Sequence, residues 1–270
     1  MNNKYQTWEE AVEWLRSQPD QAEVVKDCYY DDPLLDAAKR FHKNTEWQDI
    51  QKRLPQRKGR VLDMGAGRGI SSYAFAYDGW EIVAVEPDRS ATVGALAIKQ
   101  LANETMLPIS VIQTFAETLP FKDNLFDVVY GRQILHHARD LFVMCNEVSR
   151  VLKPGGIFIA TREHVITKQK DLTYFQAQHP LQKMYGGENA YLLHNYIDAI
   201  QQSGIQINEI LNPFASDINL FPESQSTLKE KITQKIHLPF PSLIPTAVLV
   251  LIGRFNNNPG RLYSFIGRKK

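Results

Sequence analysis

The chain has 270 residues, of which 43% are hydrophobic, and its formal net charge is +1 at pH 7. This length suits one large α/β domain with an added lid, or two small domains, and the apolar share is enough for a buried core. So small a net charge excludes a global field that would draw the chain to nucleic acid or to an acidic membrane.

The cysteines, the first residues and the most apolar run predict a cytoplasmic protein. Cys28 and Cys145 lie far apart and lack metal-type spacing, which fits a reducing compartment better than a disulfide scaffold. Residues 1–20 contain no apolar stretch of the kind that a secretory signal needs. Residues 242–253 are apolar but shorter than the ~20 residues that span a bilayer. We expect a buried hairpin or helix there, with contact at a membrane interface as the less favoured alternative.

Residues 1–58 precede the main sequence motifs and predict a separate helical segment. Thr7 and Glu10 have the spacing of a capping box, and the apolar residues that follow share one face of a helix. A second helical stretch begins after Tyr29. Four side chains of this segment are candidates for contact with a ligand, although packing explains them equally well: Tyr29, Tyr30, Arg40 and Trp47.

Residues 61–69, VLDMGAGRG, are the most informative segment of the chain. They predict the end of a buried strand with Asp63 at its carboxyl edge, and three glycines that let the backbone turn tightly and approach a ligand. A helix then begins at Ile70, and the N-terminal amides of a helix favour electronegative groups. A strand, loop and helix in this order build a cofactor crevice at the carboxyl edge of a parallel sheet.

More than one class of cofactor-binding protein uses such a loop, and dinucleotide enzymes are one of them. Dinucleotide enzymes require G-x-G-x-x-G, whereas here Gly69 comes one position early and Ile70 stands where the third glycine should be. The loop alone therefore leaves a nicotinamide enzyme open as an alternative.

The second predicted strand, residues 81–85, ends at an acid. Glu86 lies about twenty residues beyond the glycine loop, where an acid accepts both ribose hydroxyls of an adenosine. The alternative is that Glu86 only caps a turn with Pro87 and Asp88.

Further motifs follow at the intervals of an alternating α/β fold. A third strand is predicted over residues 109–113, a fourth over 125–130 and a fifth over 157–161. Between and after them stand AETLPF at 116–121, GRQILHH at 131–137 and RVLKPGG at 150–156.

Taken together, residues 59–162 resemble the class I S-adenosylmethionine-dependent methyltransferases. The resemblance implies an α/β fold with a doubly wound, seven-stranded, Rossmann-like sheet whose last strand is antiparallel. Strand six is then residues 205–211, after a helix over 189–203, and strand seven is residues 261–266. An insertion over residues 212–259, with a charged helix at 226–236, separates these last two strands.

The resemblance also implies cofactor-binding roles. The methionine moiety would be surrounded by residues of the glycine loop: Asp63, Gly65, Ala66, Gly67 and Gly69. Glu86 would bind the ribose, and the adenine would lie beside Pro87, Asp88, Ala116 and Glu117. The sulfonium would be flanked by Gly131 and Arg132. Many relatives carry an acid for the adenine amine where this chain has Phe115. The phenyl ring would then stack on adenine, or Glu117 would supply the acceptor.

Two domains are expected on this basis. Residues 1–58 form an N-terminal helical lid over the cofactor, as leading segments often do in relatives, and residues 59–270 form the methyltransferase domain. Within it, residues 59–162 bind the cofactor, while residues 163–190 and 212–259 shape the acceptor pocket, because loops on a rigid scaffold usually determine specificity.

The expected chemistry is direct in-line displacement of a methyl group from sulfur. The protein aligns the acceptor, methyl and sulfur and excludes water, and an alcohol acceptor also needs a base, for which histidine is suited. Candidate bases are His164, His137 and His179, and Glu163 would orient a base or bind a polar acceptor. His136 is not expected to face the same way as its neighbour on a helix. No metal is expected, because the spacings match no zinc motif.

The sequence therefore predicts a methyltransferase that acts on an oxygen or nitrogen of a small molecule, such as a secondary metabolite or a saccharide. One alternative is a catalytically idle relative that binds the cofactor to regulate or scaffold a partner. A nicotinamide oxidoreductase is the less favoured alternative. Nucleic acid is not an expected partner, because the chain has no appended basic domain or aromatic-basic motif.

Overall fold

The computed structural model describes residues 7–178, 182, 184–237 and 239–270. Within these residues, eight strands form one sheet. They are β1 Arg60–Met64, β2 Glu81–Val85, β3 Ile109–Ile112, β4 Phe126–Arg132, β5 Leu152–Ile166, β6 Tyr191–Leu192, β7 Ile205–Leu211 and β8 Arg261–Lys269.

Helices cover both faces of the sheet. The α-helices of the described residues are Trp8–Arg16, Ala22–Asp27, Leu34–Lys43, Thr45–Gln51, Ile70–Tyr77, Ala95–Thr105, Leu141–Val151, Asp171–Gln178, Leu193–Gln202, Asp217–Leu220, Gln225–Ile236 and Thr246–Arg254. Short 3₁₀ turns lie at Pro19–Gln21, Leu135–His137 and Pro241–Leu243. The first helix begins with the predicted capping box, in which Thr7 and Glu10 each bond the backbone of the other.

The sheet has the order β3-β2-β1-β4-β5-β8-β7, with β6 paired to β5 off this path. Strands β1 to β5 run parallel, and β8 runs antiparallel to both β5 and β7. The chain therefore builds outward from β1 in one direction and from β4 in the other. The crevice between the loops after β1 and β4 is where an open α/β sheet binds its ligand.

The sheet has one strand more than the resemblance implied. Strand β5 continues for fifteen residues, with a register shift between Ala160 and Glu163. Its last residues pair with β6, at the place where the sequence predicted the start of a helix. The helix instead begins at Leu193, because the extended end of β5 offers backbone groups for pairing.

The N-terminal helices pack into the protein core. Tyr29, Phe41 and Trp47 belong to the same buried cluster as Phe75 of the first sheet-covering helix. Trp47 has no exposed surface, and its ring centroid lies 4.7 Å from that of Phe75. Tyr29 and Trp47, considered as ligand contacts on sequence grounds, are therefore core residues.

A buried ion pair joins the N-terminal helices to the end of β4. The guanidinium of Arg132 donates to both carboxylate oxygens of Glu46, at 2.7 Å and 3.1 Å. The Glu46 side chain is fully buried. Bidentate pairs of this kind fix orientation as well as distance, so this contact sets the position of residues 34–51 on the sheet edge.

Most of the apolar run at 242–253 lies in the helix Thr246–Arg254, one of the two predicted forms, but only one face of this helix is buried. Leu249 and Gly253 face the protein, whereas Leu251 is 53% exposed and Phe255, just beyond the helix, is 75% exposed. The predicted burial is therefore wrong for half of this segment. No helix among the described residues has both the length and the apolar character needed to cross a bilayer.

Candidate functional site

The glycine loop after β1 has the left-handed backbone that only glycine adopts easily. Gly65 and Gly67 have φ angles of 58° and 54°. A Cβ on Gly65 would lie 2.5 Å from the Cδ1 atom of Ile134, whereas a Cβ on Gly67 would meet nothing within 4 Å. Gly65 thus permits close packing inside the protein, and Gly67 faces the space where a ligand can approach the backbone.

Asp63 lies almost fully buried at the carboxyl end of β1. Its Oδ2 atom accepts hydrogen bonds from the hydroxyls of Ser71 at 2.7 Å and Ser72 at 2.6 Å. Burial raises the pKa of Asp63 to about 6, against the opposing effect of these hydrogen bonds. Sequence reasoning did not single out the two serines, although their place in the first turn of the following helix puts them within reach of the strand end.

Glu86 connects the end of β2 to the glycine loop. Its carboxylate accepts from the backbone amides of Gly67 at 2.8 Å and Asp88 at 2.9 Å. The sequence also allowed Glu86 to cap the turn at Pro87 and Asp88. The bond from the Asp88 amide is such a cap, so Glu86 has this role as well. A carboxylate offers about four lone-pair positions, which leaves two for a pair of ribose hydroxyls. Burial raises the pKa of Glu86 to about 7.

The residues expected beside adenine lie on the adjoining loop. Ala116 is buried, and the Oε1 atom of Glu117 accepts from the backbone amide of Arg139 at 2.9 Å. Phe115 is 47% exposed, and the guanidinium of Arg139 lies 4.4 Å from its ring centroid. Glu117 keeps further acceptor positions beside this one bond, so Phe115 and Glu117 both stay candidates for the adenine contact. The Pro87 carbonyl accepts from the side chain of Gln113.

At the end of β4, Gly131 packs closely on Ile134, because a Cβ there would lie 2.5 Å from the Cγ2 atom. The side chain of Arg132 is committed to Glu46. Any contact of Arg132 with a sulfonium would therefore come from its backbone, since a positive guanidinium held in a buried ion pair is not free to turn toward the crevice.

Arg68 was missed by sequence reasoning. It is 6% exposed, and its Nη1 atom donates to the carbonyls of Tyr29 and Asp31, both at 2.8 Å. It also forms an ion pair with Asp32. The only sequence signal was a long cationic side chain between two glycines of the loop, Gly67 and Gly69. Its contacts hold residues 29–32 directly on that loop.

Glu163 organises the turn that follows β4. This fully buried carboxylate accepts from the backbone amides of Ile134, Leu135 and His136, each at 3.1 Å. It also bonds the Nδ1 atom of His136 at 2.7 Å. Burial raises its pKa to about 7. Glu163 thus orients a histidine, and that histidine is His136.

His164 and His137 lie near each other at this edge. The Nδ1 atom of His164 lies 2.9 Å from the carbonyl oxygen of Gly260, and its ring centroid is 4.7 Å from that of His136. The ring of His137 is 4.2 Å from that of His136, and burial lowers the pKa of His137. The third candidate base, His179, lies outside the described residues.

The structure brings together a different set of side chains from the predicted one. His136, His164 and Glu188 each offer one ligand-type atom, and these atoms lie within 4.8 Å of one another. Sequence reasoning set His136 aside because it assumed a helix, whereas residues 135–137 form a tighter 3₁₀ turn. No local spacing links these three residues, so only the fold could reveal the cluster.

Two clefts lie near opposite edges of the sheet. One of about 860 Å³ is lined by Arg60, Glu81 and Lys153, at the amino-terminal ends of the strands. The other, of about 560 Å³, is lined by Asn189, Tyr191 and residues of two neighbouring helices. Ligands bind at the carboxyl ends in open α/β sheets. Neither cleft is lined by a residue of the glycine loop or by Glu86, so neither one is assigned to the acceptor.

The strand order, the glycine loop after β1 and the acid after β2 define a Rossmann-like domain that binds a nucleoside cofactor. Residues 62–160 match the family described as "Methyltransferase domain". These residues therefore form a class I methyltransferase domain, and S-adenosylmethionine is the cofactor of that family. The family and cofactor predictions are confirmed.

Curated proteins match part of this chain. The chain is 35% identical over 100 residues to the uncharacterized methyltransferase YcgJ of Bacillus subtilis, covering 37% of this chain and 39% of that protein. It is 26% identical over 168 residues to a ubiquinone biosynthesis O-methyltransferase of Bradyrhizobium sp., covering 58% and 63%. It is 32% identical over 120 residues to a tRNA U34 carboxymethyltransferase of Hydrogenovibrio crunogenus, covering 43% and 36%. The matches thus span from about a third to under two thirds of these relatives.

Solved structures share the fold over most of the chain. A geranyl diphosphate C-methyltransferase from Streptomyces coelicolor, in complex with Mg²⁺, a substrate analogue and S-adenosyl-L-homocysteine, has a TM-score of 0.62 at 14% identity and covers 90% of this chain and 84% of its own. The [4+2]-cyclase SpnF has a TM-score of 0.58 at 20% identity, with coverage of 86% and 80%. At these identities the likeness establishes the fold alone.

Proposed function

We propose that this protein transfers the methyl group of S-adenosylmethionine by in-line displacement to an oxygen or nitrogen of a small-molecule acceptor. The main support is the geometry of Glu86, whose carboxylate is fixed by the amides of Gly67 and Asp88 beside a glycine that faces open space. This arrangement matches the needs of a ribose with two adjacent hydroxyls.

The cofactor site is completed by residues on the neighbouring loops. Asp63 provides a negative charge at the crevice for the ammonium of the methionine moiety, and Phe115 offers an aromatic face to adenine. When bound, the cofactor supplies a methyl group on a positively charged sulfur, and its departure leaves a neutral thioether. The acceptor atom contributes the electron pair of the new bond, and the pair of the broken carbon–sulfur bond stays on sulfur.

In this proposal the described residues of three segments enclose the acceptor side: the lid at 1–58 and the connections at 163–190 and 212–259. Arg68 holds residues 29–32 of the first on the glycine loop. The guanidinium of Arg162 donates to the carbonyls of Ile218 and Phe221 in the third. Residues 163–190 supply His164 and Glu188. Enclosure by such contacts would exclude water from the reacting groups.

An alcohol acceptor requires removal of a proton, and two of the three predicted bases lie among the described residues. His137 is suited to this role, because burial lowers its pKa and keeps the ring neutral near pH 7. His164 is the second candidate. The contacts of Glu163 make it a positioning residue, since it touches the backbone of the 134–136 turn and His136.

A cofactor-binding protein without turnover remains the alternative, because the Glu86 geometry supports binding and says nothing of transfer. A relative named for tRNA keeps nucleic acid among the acceptors to be tested, although the net charge of +1 gives no general attraction to phosphates. Nicotinamide chemistry is disfavoured by the family match and by Ile70 at the position of the third glycine.

The test combines binding with turnover. Isothermal titration calorimetry with S-adenosylmethionine, its demethylated product and NAD⁺ should show binding of the first two. Transfer of a labelled methyl group to panels of hydroxyl and amine compounds, with tRNA alongside, should then label a small molecule. Labelling of tRNA alone would refute the small-molecule acceptor. Tight cofactor binding with no labelling of any acceptor would favour the idle relative.

A further inference from the structure

Three nearly buried groups from distant parts of the sequence meet near the carboxyl ends of β4 and β5, and one of them, His164, lies within β5. His136 is 1% exposed, His164 is 9% and Glu188 is 5%. One nitrogen or oxygen atom of each lies within 4.8 Å of the others. We infer that these three side chains bind a divalent transition-metal ion of the Zn²⁺ type, through two imidazole nitrogens and one carboxylate.

The hydrogen bonds of the two histidines determine which nitrogen can face a metal. The Nδ1 atom of His136 lies 2.7 Å from the carboxylate of Glu163, and that of His164 lies 2.9 Å from the carbonyl oxygen of Gly260. The Gly260 carbonyl can only accept, and both carboxyl oxygens of Glu163 already accept from backbone amides, so Nδ1 is the donor in each histidine. A neutral imidazole then has its lone pair on Nε2, the atom that coordinates a metal.

These outer contacts are themselves typical of metal sites. Histidines that bind metals almost always donate their other ring N–H to a carboxylate or a backbone carbonyl, which fixes the tautomer and the ring orientation. Here the partner of His136 is the carboxylate of Glu163, and the partner of His164 is the backbone carbonyl of Gly260. The three backbone amides that also bond Glu163 hold its carboxylate in place. The orientation of His136 is therefore built into the fold.

The backbone of Glu188, the third proposed ligand, is also fixed by hydrogen bonds. The backbone amide of Glu188 donates to the side chain of Gln182 at 2.9 Å, and its carbonyl accepts from Gln176 at 2.9 Å. Glu188 is only 5% exposed, so its carboxyl group lies away from water. A cation beside it would favour the ionised form and offset the cost of placing a carboxylate away from water.

The composition of the cluster indicates the class of metal. Two imidazoles and one carboxylate with further positions open are typical of catalytic Zn²⁺ and of divalent iron sites. Mg²⁺ and Ca²⁺ prefer oxygen ligands and would find a single protein carboxylate here. The sequence predicted no metal because the ligands, at 136, 164 and 188, follow no local motif.

The position of the cluster suggests what the ion does, and this step rests on the proposed function. His136 stands two residues beyond Ile134, whose side chain packs on Gly65 of the cofactor loop. An oxygen of the acceptor at an open coordination position would lose its proton more readily, because a bound cation lowers the pKa of its ligands. His164 would then bind the metal rather than act as a base.

The experiment measures metal on the full chain. Protein purified without chelators is analysed for metal content, stripped, and titrated with Zn²⁺ against a competing chelator. We expect wild type to hold a single ion per chain. H164N and E188Q should bind Zn²⁺ more than about 100-fold more weakly, since loss of even an outer partner costs about 10–100-fold. H194N, which changes an exposed histidine on the helix Leu193–Gln202, should bind as wild type does.

A second measurement does not depend on variants. Co²⁺ added to the stripped wild-type protein should give the visible absorption of a nitrogen-coordinated site of low symmetry, and E163Q should shift that absorption and weaken binding about 10–100-fold. A purely structural role for Glu163 would leave the spectrum unchanged.

Each result separates this inference from the proposed function. Wild-type protein that binds S-adenosylmethionine but takes up neither Zn²⁺ nor Co²⁺ overturns the metal site and leaves the methyltransferase proposal standing. Unchanged Zn²⁺ affinity in H164N and E188Q, both checked by cofactor binding for correct folding, also overturns it. Protein that binds metal through these residues but ignores the cofactor supports the site and refutes the proposed function.

Discussion

The two halves of the sheet edge are built in different ways. After β1 and β2, Asp63 and Glu86 lie within 24 residues of sequence. Backbone amides hold Glu86, and two serine hydroxyls hold Asp63. Near the carboxyl ends of β4 and β5, His136, His164 and Glu188 come from a span of more than 50 residues. Glu163 and Gly260 orient the two histidines. The first half is a local motif, and the second is a product of tertiary packing.

The difference explains why the two halves respond to different changes. Loop geometry at the first half depends on glycine backbone angles, which are intrinsic to the sequence. Geometry at the second depends on a buried carboxylate and on a long β5 that reaches past its bulge. We expect substitutions at the first half to affect cofactor affinity, and substitutions at the second to affect metal binding and turnover.

The largest expected effect is a loss of folding stability at the contact between the sheet edge and the N-terminal helices. Glu46→Ala leaves Arg132 as an uncompensated buried charge, and breaking such a pair costs about 3–5 kcal/mol. Denaturant unfolding should show this loss. Glu81→Ala, which removes an exposed partner of Arg60, is the control and should cost less than about 1 kcal/mol. Equal losses in the two variants would show that the Glu46 contact does not set the structure.

Cofactor binding should be the next most sensitive property, and it tests the first half alone. Glu86→Ala and Asp63→Ala each remove charge-assisted hydrogen bonds worth roughly 1.5–3 kcal/mol. We expect S-adenosylmethionine to bind at least about tenfold more weakly in calorimetry, while Zn²⁺ affinity stays at the wild-type value. Glu81→Ala again serves as the control, because Glu81 begins the strand β2 that Glu86 follows. Wild-type affinity in both variants would refute the placement of the cofactor.

Cofactor affinity should also depend on pH, with a sign set by the raised pKa values. Burial raises the pKa of Glu86 to about 7 and that of Asp63 to about 6, so each group is ionised above its value and protonated below it. Protonation removes the negative charge and an acceptor position. Affinity should therefore fall as the pH drops through 7 and then through 6.

Glu86→Gln provides the control for this pH dependence, because it cannot titrate. The step near pH 7 should disappear in that variant while the step near pH 6 remains. A pH profile identical to that of wild type would mean that another group is responsible.

The smallest expected effect concerns adenine. Phe115→Ala removes an aromatic face, and aromatic pairs contribute about 0.5–1.5 kcal/mol beyond the area that they bury. Cofactor affinity should fall by that amount in calorimetry, with no change in metal content. Phe255→Ala, which changes a more exposed ring in the 212–259 segment, should leave the affinity unaltered. Unaltered affinity in Phe115→Ala would shift the adenine contact to another residue.

Sequence reasoning was most successful where function depends on backbone geometry. Strands β1, β2 and β4, the left-handed glycines and the acid after β2 all have local signals. Arg68 and the pair of serines beside Asp63 were missed because their side chains act on neighbours that no periodicity reveals. His136 was set aside because its turn was taken for an α-helix, and His179 stays a prediction because it lies outside the described residues.

The sequence by itself determined the family, the cofactor and the loops that meet it, because a tight glycine turn and an acid at a strand end are properties of short segments. Only the tertiary structure decided that residues 29–51 belong to the core, that Glu163 orients His136, and that His164 and Glu188 join it. Contacts between residues so far apart depend on how a long β5 and its connections pack, and short-range patterns do not encode that packing.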